Sequence, residues 1–133
     1  MSTQTLILDG ETLTIEAVVA AAYARPGAMR FALSEQAQHG VARARQAVED
    51  FVAQNRVVYG ITTGFGAFCN RVIDPEQTAQ LQRNIVMSHA VGVGRPLETA
   101  VVRAMMLIRA NTLSKGHSGC RQAVIDLLLR MLE

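Results

Sequence analysis

The sequence predicts a mainly α-helical domain, residues 1–133, that begins with a short β-hairpin or an extended amino-terminal arm. Apolar side chains recur along most of the chain at the three-and-four spacing of an α-helix. The stretch LILDGETLTIE, residues 6–16, lacks that period, and its Asp9-Gly10 pair is typical of a hairpin turn. Apolar residues make up 50% of the chain, which is enough for one moderate core.

The first two predicted helices have clear boundaries. The first covers Ile15 to Ala24 and stops before Arg25-Pro26-Gly27, because the residue before a proline disfavours helical backbone. Ser34 can cap the second helix, which ends near Asn55. Its apolar face consists of Ala37, Val41, Ala44, Val48, Phe51 and Val52.

Three further helices are predicted after a glycine-rich turn. Asp74-Pro75-Glu76-Gln77 is a strong helix start, and that helix continues to about Ala90. Pro96 opens the next helix, which ends at Lys115-Gly116, and Ser118 caps the last one. Several of these helices are apolar on more than one face, which predicts burial against a partner chain or another part of the same protein.

Composition excludes several classes of function. The net charge of +2 is spread along the chain without a run of Lys or Arg, which argues against nucleic acid as a partner. Cys69 and Cys120 form no CxxC pair, so neither a metal site nor a thioredoxin-type redox site is predicted.

The same features predict a cytoplasmic protein. Two free thiols suit a reducing compartment. The apolar run AVVAAAYA, residues 17–24, follows acidic residues, which is the wrong order for an export signal. No apolar run is long enough to cross a membrane.

The turn VVYGITTGFGAF, residues 57–68, carries the first candidate for chemistry. It sets Tyr59 among glycines and beside Thr62 and Thr63. A phenol has a pKa of about 10 and is a poor base unless its neighbours stabilise the phenolate. Backbone amides and threonine hydroxyls on such a turn could hold an anionic group and position the phenol for proton transfer. An ordinary loop with a half-buried tyrosine is the alternative.

His89 is the second candidate. It follows Leu81 and Ile85 on the apolar stripe of its predicted helix, while Asn84 and Ser88 form a polar pair on the adjoining face. A histidine at the end of an apolar stripe is more often a core residue than a catalyst, and both interpretations stay open. No nucleotide loop, zinc-protease spacing or nucleophile elbow is present.

Three segments carry a resemblance to a known family. VYGITTGFGAFCNRVI, LQRNIVMSHAVGVG and RAMMLIRANTLSKGHSG resemble, in that order, the amino-terminal part of the aromatic amino acid ammonia-lyases. Within that family the chain is most similar to the histidine-specific members, which convert L-histidine to trans-urocanate and ammonia. The resemblance implies a largely helical homotetramer whose active sites combine loops from several subunits. It also implies an electrophilic methylidene-imidazolone group, formed from an internal Ala-Ser-Gly, and no metal.

The resemblance also implies roles for particular residues. Tyr59 is the base that removes the substrate's β-proton, Gly66 lies against the substrate, and Ser88 and His89 line the substrate pocket. Tyrosine-preferring relatives carry His-Leu at the Ser88-His89 pair, and phenylalanine-preferring relatives commonly carry Phe-Leu. A polar pair can hydrogen-bond an imidazole, whereas leucine would leave its nitrogens unpaired.

The sequence departs from the family in one respect that matters for the chemistry. It contains no Ala-Ser-Gly, which in the family follows shortly after the helix that ends here at Glu133. We therefore predict that the 133-residue chain alone is inactive, and that it is the amino-terminal part of a histidine ammonia-lyase. The alternatives are the same region of a phenylalanine or tyrosine ammonia-lyase or of an aminomutase, and a non-catalytic helical assembly module.

Overall fold

The computed structural model describes residues 4–64, Gly66, Ile73 and residues 75–133. The chain is mainly helical, as the sequence predicts. Its elements are β1 (Gln4–Leu8), α1 (Ile15–Tyr23), β2 (Met29–Leu33), α2 (Glu35–Ala53), α3 (Pro75–His89), α4 (Thr99–Ser114) and α5 (Gln122–Leu132). Its contacts divide it into two compact units, residues 1–46 with 96–133 and residues 47–95.

The two strands form a parallel sheet, which corrects the predicted hairpin. Leu6 lies opposite Phe31 in the parallel register, and α1 connects the strands. The Asp9 carboxylate accepts hydrogen bonds from the backbone N–H groups of Glu11 and Thr12, both at 2.8 Å. These bonds make the turn that the sequence predicts, but the turn leads into α1 rather than into a second strand.

Strand β2 has an alternating pattern that is too short to identify from sequence alone. Met29, Phe31 and Leu33 are buried, whereas Arg30 between them is exposed. Such a five-residue alternation is typical of a strand with one face on a core, yet short apolar runs also occur in helices and loops. The sequence alone therefore does not identify this segment as a strand.

The core of the first unit lies where β1, α1, β2, the first part of α2, α4 and α5 meet. Leu107 and Ala110 of α4 and Ile125 of α5 are fully buried. The Arg103 guanidinium donates two hydrogen bonds, from Nε and Nη2, to the carbonyl oxygen of Ala21 at 3.2 and 3.0 Å. The same carbonyl accepts a longer bond, 3.4 Å, from the N–H of Ala24, so Arg103 adds two donors at the end of α1, where carbonyl groups lack the full set of helical partners.

The helices whose first turn is capped by a side chain begin where the sequence predicts. The Ser34 hydroxyl accepts from the N–H of Ala37 at 3.1 Å, so Ser34 caps α2 as predicted. Helix α4 begins at Thr99 rather than at Pro96 because the residue before it, Glu98, is extended. Helix α5 begins at Gln122, so Ser118 is not its cap.

The backbone explains the late start of α5. Gly119 has φ +64°, a left-handed conformation that does not continue into a helix. Helix α3 covers the predicted range, but its predicted cap, Asp74, lies outside the described residues.

Helices α4 and α5 carry apolar side chains on exposed faces, as their sequences predict. These side chains are Val101, Val102, Met105, Ile108, Val124, Leu127 and Met131. An apolar groove of about 530 Å³ runs between Leu97 and Leu128. Within the described ranges, none of the helices combines the length and the apolar character that crossing a bilayer requires.

Candidate functional site

Tyr59 occupies a tight turn that follows α2. The carbonyl oxygen of Val58 accepts hydrogen bonds from the N–H groups of Ile61 and Thr62, at 3.1 and 3.0 Å. Tyr59 and Gly60 are therefore the two central residues of a β-turn. Gly60 has φ +73°, which a type II turn requires at this position and which glycine adopts without steric cost.

The Thr62 hydroxyl joins the two sides of this turn. Its Oγ1 accepts from the Val58 N–H at 2.9 Å and donates to the carbonyl oxygen of Arg56 at 2.6 Å. The Thr62 carbonyl in turn accepts from the N–H of Ile73 at 3.0 Å. Thr62 thus binds the backbone on both sides of Tyr59.

The Thr63 hydroxyl has an equivalent role beside Gly60. Its Oγ1 accepts from the Gly60 N–H at 3.2 Å and donates to the carbonyl oxygen of Gly64 at 3.1 Å. Thr63 is only 2% exposed. The sequence predicts that both threonine hydroxyls could be donors to a bound anion, whereas in the structure they donate to backbone carbonyls.

The phenol itself lies on the surface of this chain. Tyr59 is 65% exposed, which differs from the half-buried loop tyrosine that was the alternative. Gly66 has φ +54°, and among the described residues no atom lies within 4 Å of the position that a Cβ would occupy there. The left-handed backbone is therefore the described feature of Gly66 that favours glycine.

Ser88 and His89 form a hydrogen-bonded pair at the end of α3. Ser88 Oγ donates to the carbonyl oxygen of Ile85 at 2.9 Å and lies 3.0 Å from His89 Nδ1. His89 Nδ1 also lies 2.9 Å from the same carbonyl oxygen. A carbonyl oxygen only accepts, so this contact is a hydrogen bond when the Nδ1 atom carries the proton. In the neutral ring, Nε2 is then an acceptor.

The surroundings of His89 differ from the core interpretation. Leu81 and Ile85 are half-buried, but His89 is exposed. Asn84 accepts a hydrogen bond from Gln80 at 2.8 Å, while Ser88 bonds to Ile85 and His89. The predicted Asn84–Ser88 pair is therefore replaced by two separate local contacts.

The described residues offer no ready metal centre. No three His, Cys, Asp or Glu side chains among them are grouped closely enough to bind an ion. His39 and His117 are both exposed. Burial raises the pKa of the Cys120 thiol, which makes it less reactive, and Cys69 lies outside the described residues.

The predicted site residues thus form two groups within residues 47–95. Tyr59 lies on the β-turn and Gly66 follows it in the glycine-rich segment 57–68, whereas Ser88 and His89 lie at the end of α3. Sequence reasoning missed the hydrogen bonds of the threonine hydroxyls to the turn. The spacing could have indicated these bonds. Each threonine lies three or four residues after the residue whose amide it binds, which is a common spacing for side-chain bonds to the backbone.

Comparison with known proteins identifies relatives along the whole chain. Residues 13–133 match the family model for aromatic amino acid lyases. Histidine ammonia-lyase from Chloroflexus aurantiacus is 54% identical over 132 residues, which are 99% of this chain and 25% of that enzyme. The chain therefore spans about a quarter of the length of the curated relatives that it matches.

Solved structures agree with this relationship. Histidine ammonia-lyase from Trypanosoma cruzi is 34% identical, with a TM-score of 0.87 over 97% of this chain and 25% of that one. Tyrosine aminomutase from Streptomyces globisporus is also 34% identical, with a TM-score of 0.86 over 96% of this chain and 24% of the aminomutase. The mainly helical fold with its two-stranded sheet is therefore shared with these proteins.

Proposed function

The chain belongs to the aromatic amino acid lyase family, and we propose that it is the amino-terminal portion of a histidine ammonia-lyase. The complete enzyme would eliminate ammonia from L-histidine to give trans-urocanate. The observation that carries the proposal is the 54% identity with a histidine ammonia-lyase over 99% of this chain. The exposed position of Tyr59 on a well-bonded turn supports a chemical role for its phenol.

The elimination requires a base at the substrate's β-carbon. The base removes a β-proton, the electrons of that C–H bond form the double bond, and the C–N bond breaks as ammonia leaves. We assign the base to Tyr59, which is 65% exposed on its turn and so is accessible to a substrate from outside this unit. Gly66 would lie beside the substrate, where the absence of a side chain permits close approach.

The activation of the amine would come from outside these residues. In this family a methylidene-imidazolone supplies the electrophile, and it forms from an Ala-Ser-Gly triplet. The 133 residues contain no such triplet, so they cannot form that group by themselves. We therefore expect the isolated chain to be inactive, because a phenol alone does not overcome a weakly acidic proton and a poor leaving group.

Ser88 and His89 would contribute to the choice of substrate. With Nδ1–H bonded to the Ile85 carbonyl at 2.9 Å, His89 presents Nε2 as an acceptor for an N–H group. Such an acceptor suits the N–H of a substrate imidazole, which an apolar residue would leave unpaired. The likeness to tyrosine aminomutase keeps an aminomutase, or a lyase for tyrosine or phenylalanine, as the second candidate function.

The remaining parts of the proposal follow from the family and from the apolar surfaces. The substrate is a free amino acid, and the complete enzyme is a cytoplasmic homotetramer. The exposed apolar faces of α4 and α5, among them Met105 and Leu127, support burial against other parts of such an assembly.

A chimera tests the proposal. The 132 matched residues of this chain replace their counterparts in the Chloroflexus aurantiacus enzyme, and urocanate and ammonia are measured with histidine as substrate. We expect activity close to that of the parent enzyme. In the chimera, Tyr59→Phe should lower kcat by about 10²–10⁴-fold, because it removes only the phenolic oxygen.

A second tyrosine provides the matched control. Tyr23→Phe removes the same atom from α1, where Tyr23 is 76% exposed, and should leave the activity unchanged. A chimera that converts tyrosine or phenylalanine in place of histidine would establish the second candidate. A chimera that assembles without any lyase activity would support the assembly module instead.

A further inference from the structure

Tyr59 lies between two peptide N–H groups that are both bound by threonine hydroxyls. The Val58 N–H, on the amino-terminal side, donates to Thr62 Oγ1 at 2.9 Å. The Gly60 N–H, on the carboxyl-terminal side, donates to Thr63 Oγ1 at 3.2 Å. The backbone is therefore held on both sides of the residue that bears the phenol.

We propose that Thr62 and Thr63 are positioning residues for Tyr59. The Thr63 hydroxyl holds the peptide group between Tyr59 and Gly60, and the Thr62 hydroxyl holds the one between Val57 and Val58. Together they restrict the backbone around Tyr59, and so they fix the direction in which its side chain leaves the turn. Only the catalytic consequence rests on the proposed function, because the hydrogen bonds belong to the chain whatever reaction it serves. Neither threonine needs to touch the substrate.

The chemistry of the hydroxyl group explains why threonine occupies both positions. Thr62 Oγ1 accepts from one backbone group and donates to the carbonyl of Arg56 at 2.6 Å. Thr63 Oγ1 likewise accepts from the Gly60 N–H and donates to the carbonyl of Gly64 at 3.1 Å. A hydroxyl does both at once, serine retains this ability, and valine has nearly the same shape but does neither.

Burial makes Thr63 the more important of the two. It is 2% exposed, so water does not readily replace its hydroxyl at the Gly60 N–H. Thr62 is half-buried, and its bond to Arg56 is exposed. The bond of the Thr63 hydroxyl to the Gly64 carbonyl is buried, and a carbonyl that loses its donor away from water costs more than an exposed one, so substitution at Thr63 should have the larger effect.

Direct binding of substrate is the competing role for these hydroxyls. Each has one proton, and in the structure each proton is donated to a backbone carbonyl. A substrate carboxylate would have to break one of these bonds to gain a donor. Direct binding predicts a raised KM when the hydroxyl is lost, whereas positioning predicts a lowered kcat.

Amide hydrogen exchange in the 133-residue chain tests the proposal without any assay of activity. Thr63→Val should speed exchange of the Gly60 amide by about tenfold or more and leave the Val58 amide within about twofold. Thr62→Val should have the reverse pattern. The Leu107 amide, which belongs to α4, reports whether the rest of the chain stays folded.

Serine variants keep the test decisive if a valine variant loses the turn altogether. Thr63→Ser should keep Gly60 exchange within about twofold of the parent chain, because the hydroxyl remains. A Gly60 amide that exchanges equally fast in the parent and in Thr63→Val would overturn the proposal. So would a Thr63→Ser variant that exchanges as fast as Thr63→Val.

The orientation of the phenol can be followed directly. The chain has two tyrosines and no tryptophan, so in a Tyr23→Phe background Tyr59 is the only source of tyrosine emission. Thr63→Val should increase the fast component of the Tyr59 fluorescence anisotropy decay, which reports local motion of the ring. Thr63→Ser should not. Equal decays in all three chains would contradict a positioning role.

The chimera connects the geometry to catalysis. There, Thr63→Val should lower kcat about 10–100-fold with KM within about threefold, and Thr63→Ser should restore most of the rate. A raised KM at unchanged kcat would mean that the hydroxyl binds substrate and would overturn the proposal. If the parent chimera is inactive, the proposed function fails, while exchange and anisotropy still decide the role of the threonines.

Discussion

Gly116 packs directly on the backbone of Gly40. A Cβ added to Gly116 would lie 2.5 Å from the carbonyl carbon of Gly40 and 2.8 Å from its oxygen. Gly40 lies in the interior of α2, where the backbone cannot move aside without disturbing helical hydrogen bonds. Gly116 also has φ +72°, so both the space and the backbone conformation require glycine there.

This contact predicts an asymmetric pair of substitutions. Gly116→Ala should lower the free energy of unfolding by about 3 kcal/mol, since it combines a left-handed alanine with a backbone clash. Gly40→Ala should be neutral or stabilising by up to about 1 kcal/mol, because alanine favours a helix. Apart from the helix itself, the nearest described atom to its Cβ is the Gly116 Cα at 3.8 Å, an ordinary van der Waals distance. Urea unfolding followed by circular dichroism measures both.

Gly27→Ala separates the two causes of the Gly116 effect. Gly27 has φ +76°, but no atom of the described part of the chain lies within 4 Å of its Cβ position. Only the cost of the left-handed conformation applies there, about 1–2 kcal/mol. Equal losses at Gly27 and Gly116 would mean that the contact with Gly40 is not a steric constraint.

The core prediction concerns α4. Leu107 is fully buried, and Leu107→Ala should cost about 2–5 kcal/mol through lost burial and the cavity left behind. Met105 lies two residues earlier on the same helix and is 57% exposed. Met105→Ala should change the free energy of unfolding by only about 0.5 kcal/mol. Similar losses of unfolding free energy in the two variants would contradict the structure, in which Leu107 faces the core and Met105 faces outward.

Asp9 should contribute to stability in a pH-dependent way. Backbone hydrogen bonds from Thr12 and Glu11, with the Thr12 hydroxyl, lower the pKa of Asp9 from 3.8 to about 2. Because the pKa is lower in the folded chain, the stabilisation is present above about pH 4 and is lost as the pH falls through about 2. An NMR titration that follows the Asp9 carboxyl carbon should give a midpoint at about pH 2.

Two variants check the cause of the Asp9 shift. Asp9→Asn should remove this part of the pH dependence of unfolding, since the amide does not titrate in that range. Thr12→Val should raise the pKa of Asp9 only partly, because it deletes the side-chain bond at 2.7 Å and keeps both backbone bonds. A midpoint near 4 in the parent chain would show that the turn does not hold the ionised carboxylate.

The ring of His89 should have a defined tautomer. The contact of Nδ1 with the Ile85 carbonyl at 2.9 Å favours the neutral form with the proton on Nδ1. Ring ¹⁵N chemical shifts, measured at a pH where the ring is neutral, report the position of that proton. Ser88→Ala should weaken the preference for a proton on Nδ1, because it removes the contact between Ser88 Oγ and His89 Nδ1 at 3.0 Å.

The exposed ring of His117 serves as the comparison in the same spectrum. A His89 ring that carries its proton mainly on Nε2 would contradict the geometry at the end of α3. It would also remove the acceptor that we propose for the substrate imidazole.

Local signals in the sequence determined much of this protein. The helical segments, the cap at Ser34 and the turn at Asp9 depend on hydrogen bonds and apolar spacing among residues close together in the chain. For the same reason the sequence placed Tyr59 on a glycine turn after α2. The resemblance of three ordered segments then identified the family, and the comparisons confirm it.

Only the tertiary structure decided which distant segments meet. The parallel pairing of β1 with β2, the contact of Gly116 with Gly40 and the bond of Arg30 to Glu133 at 2.7 Å join residues far apart in the sequence. Periodicity describes which face of an element is apolar, but it does not specify the partner that covers that face. The hydroxyls of Thr62 and Thr63 illustrate this at short range, because the turn must form before its amides lie within reach of them.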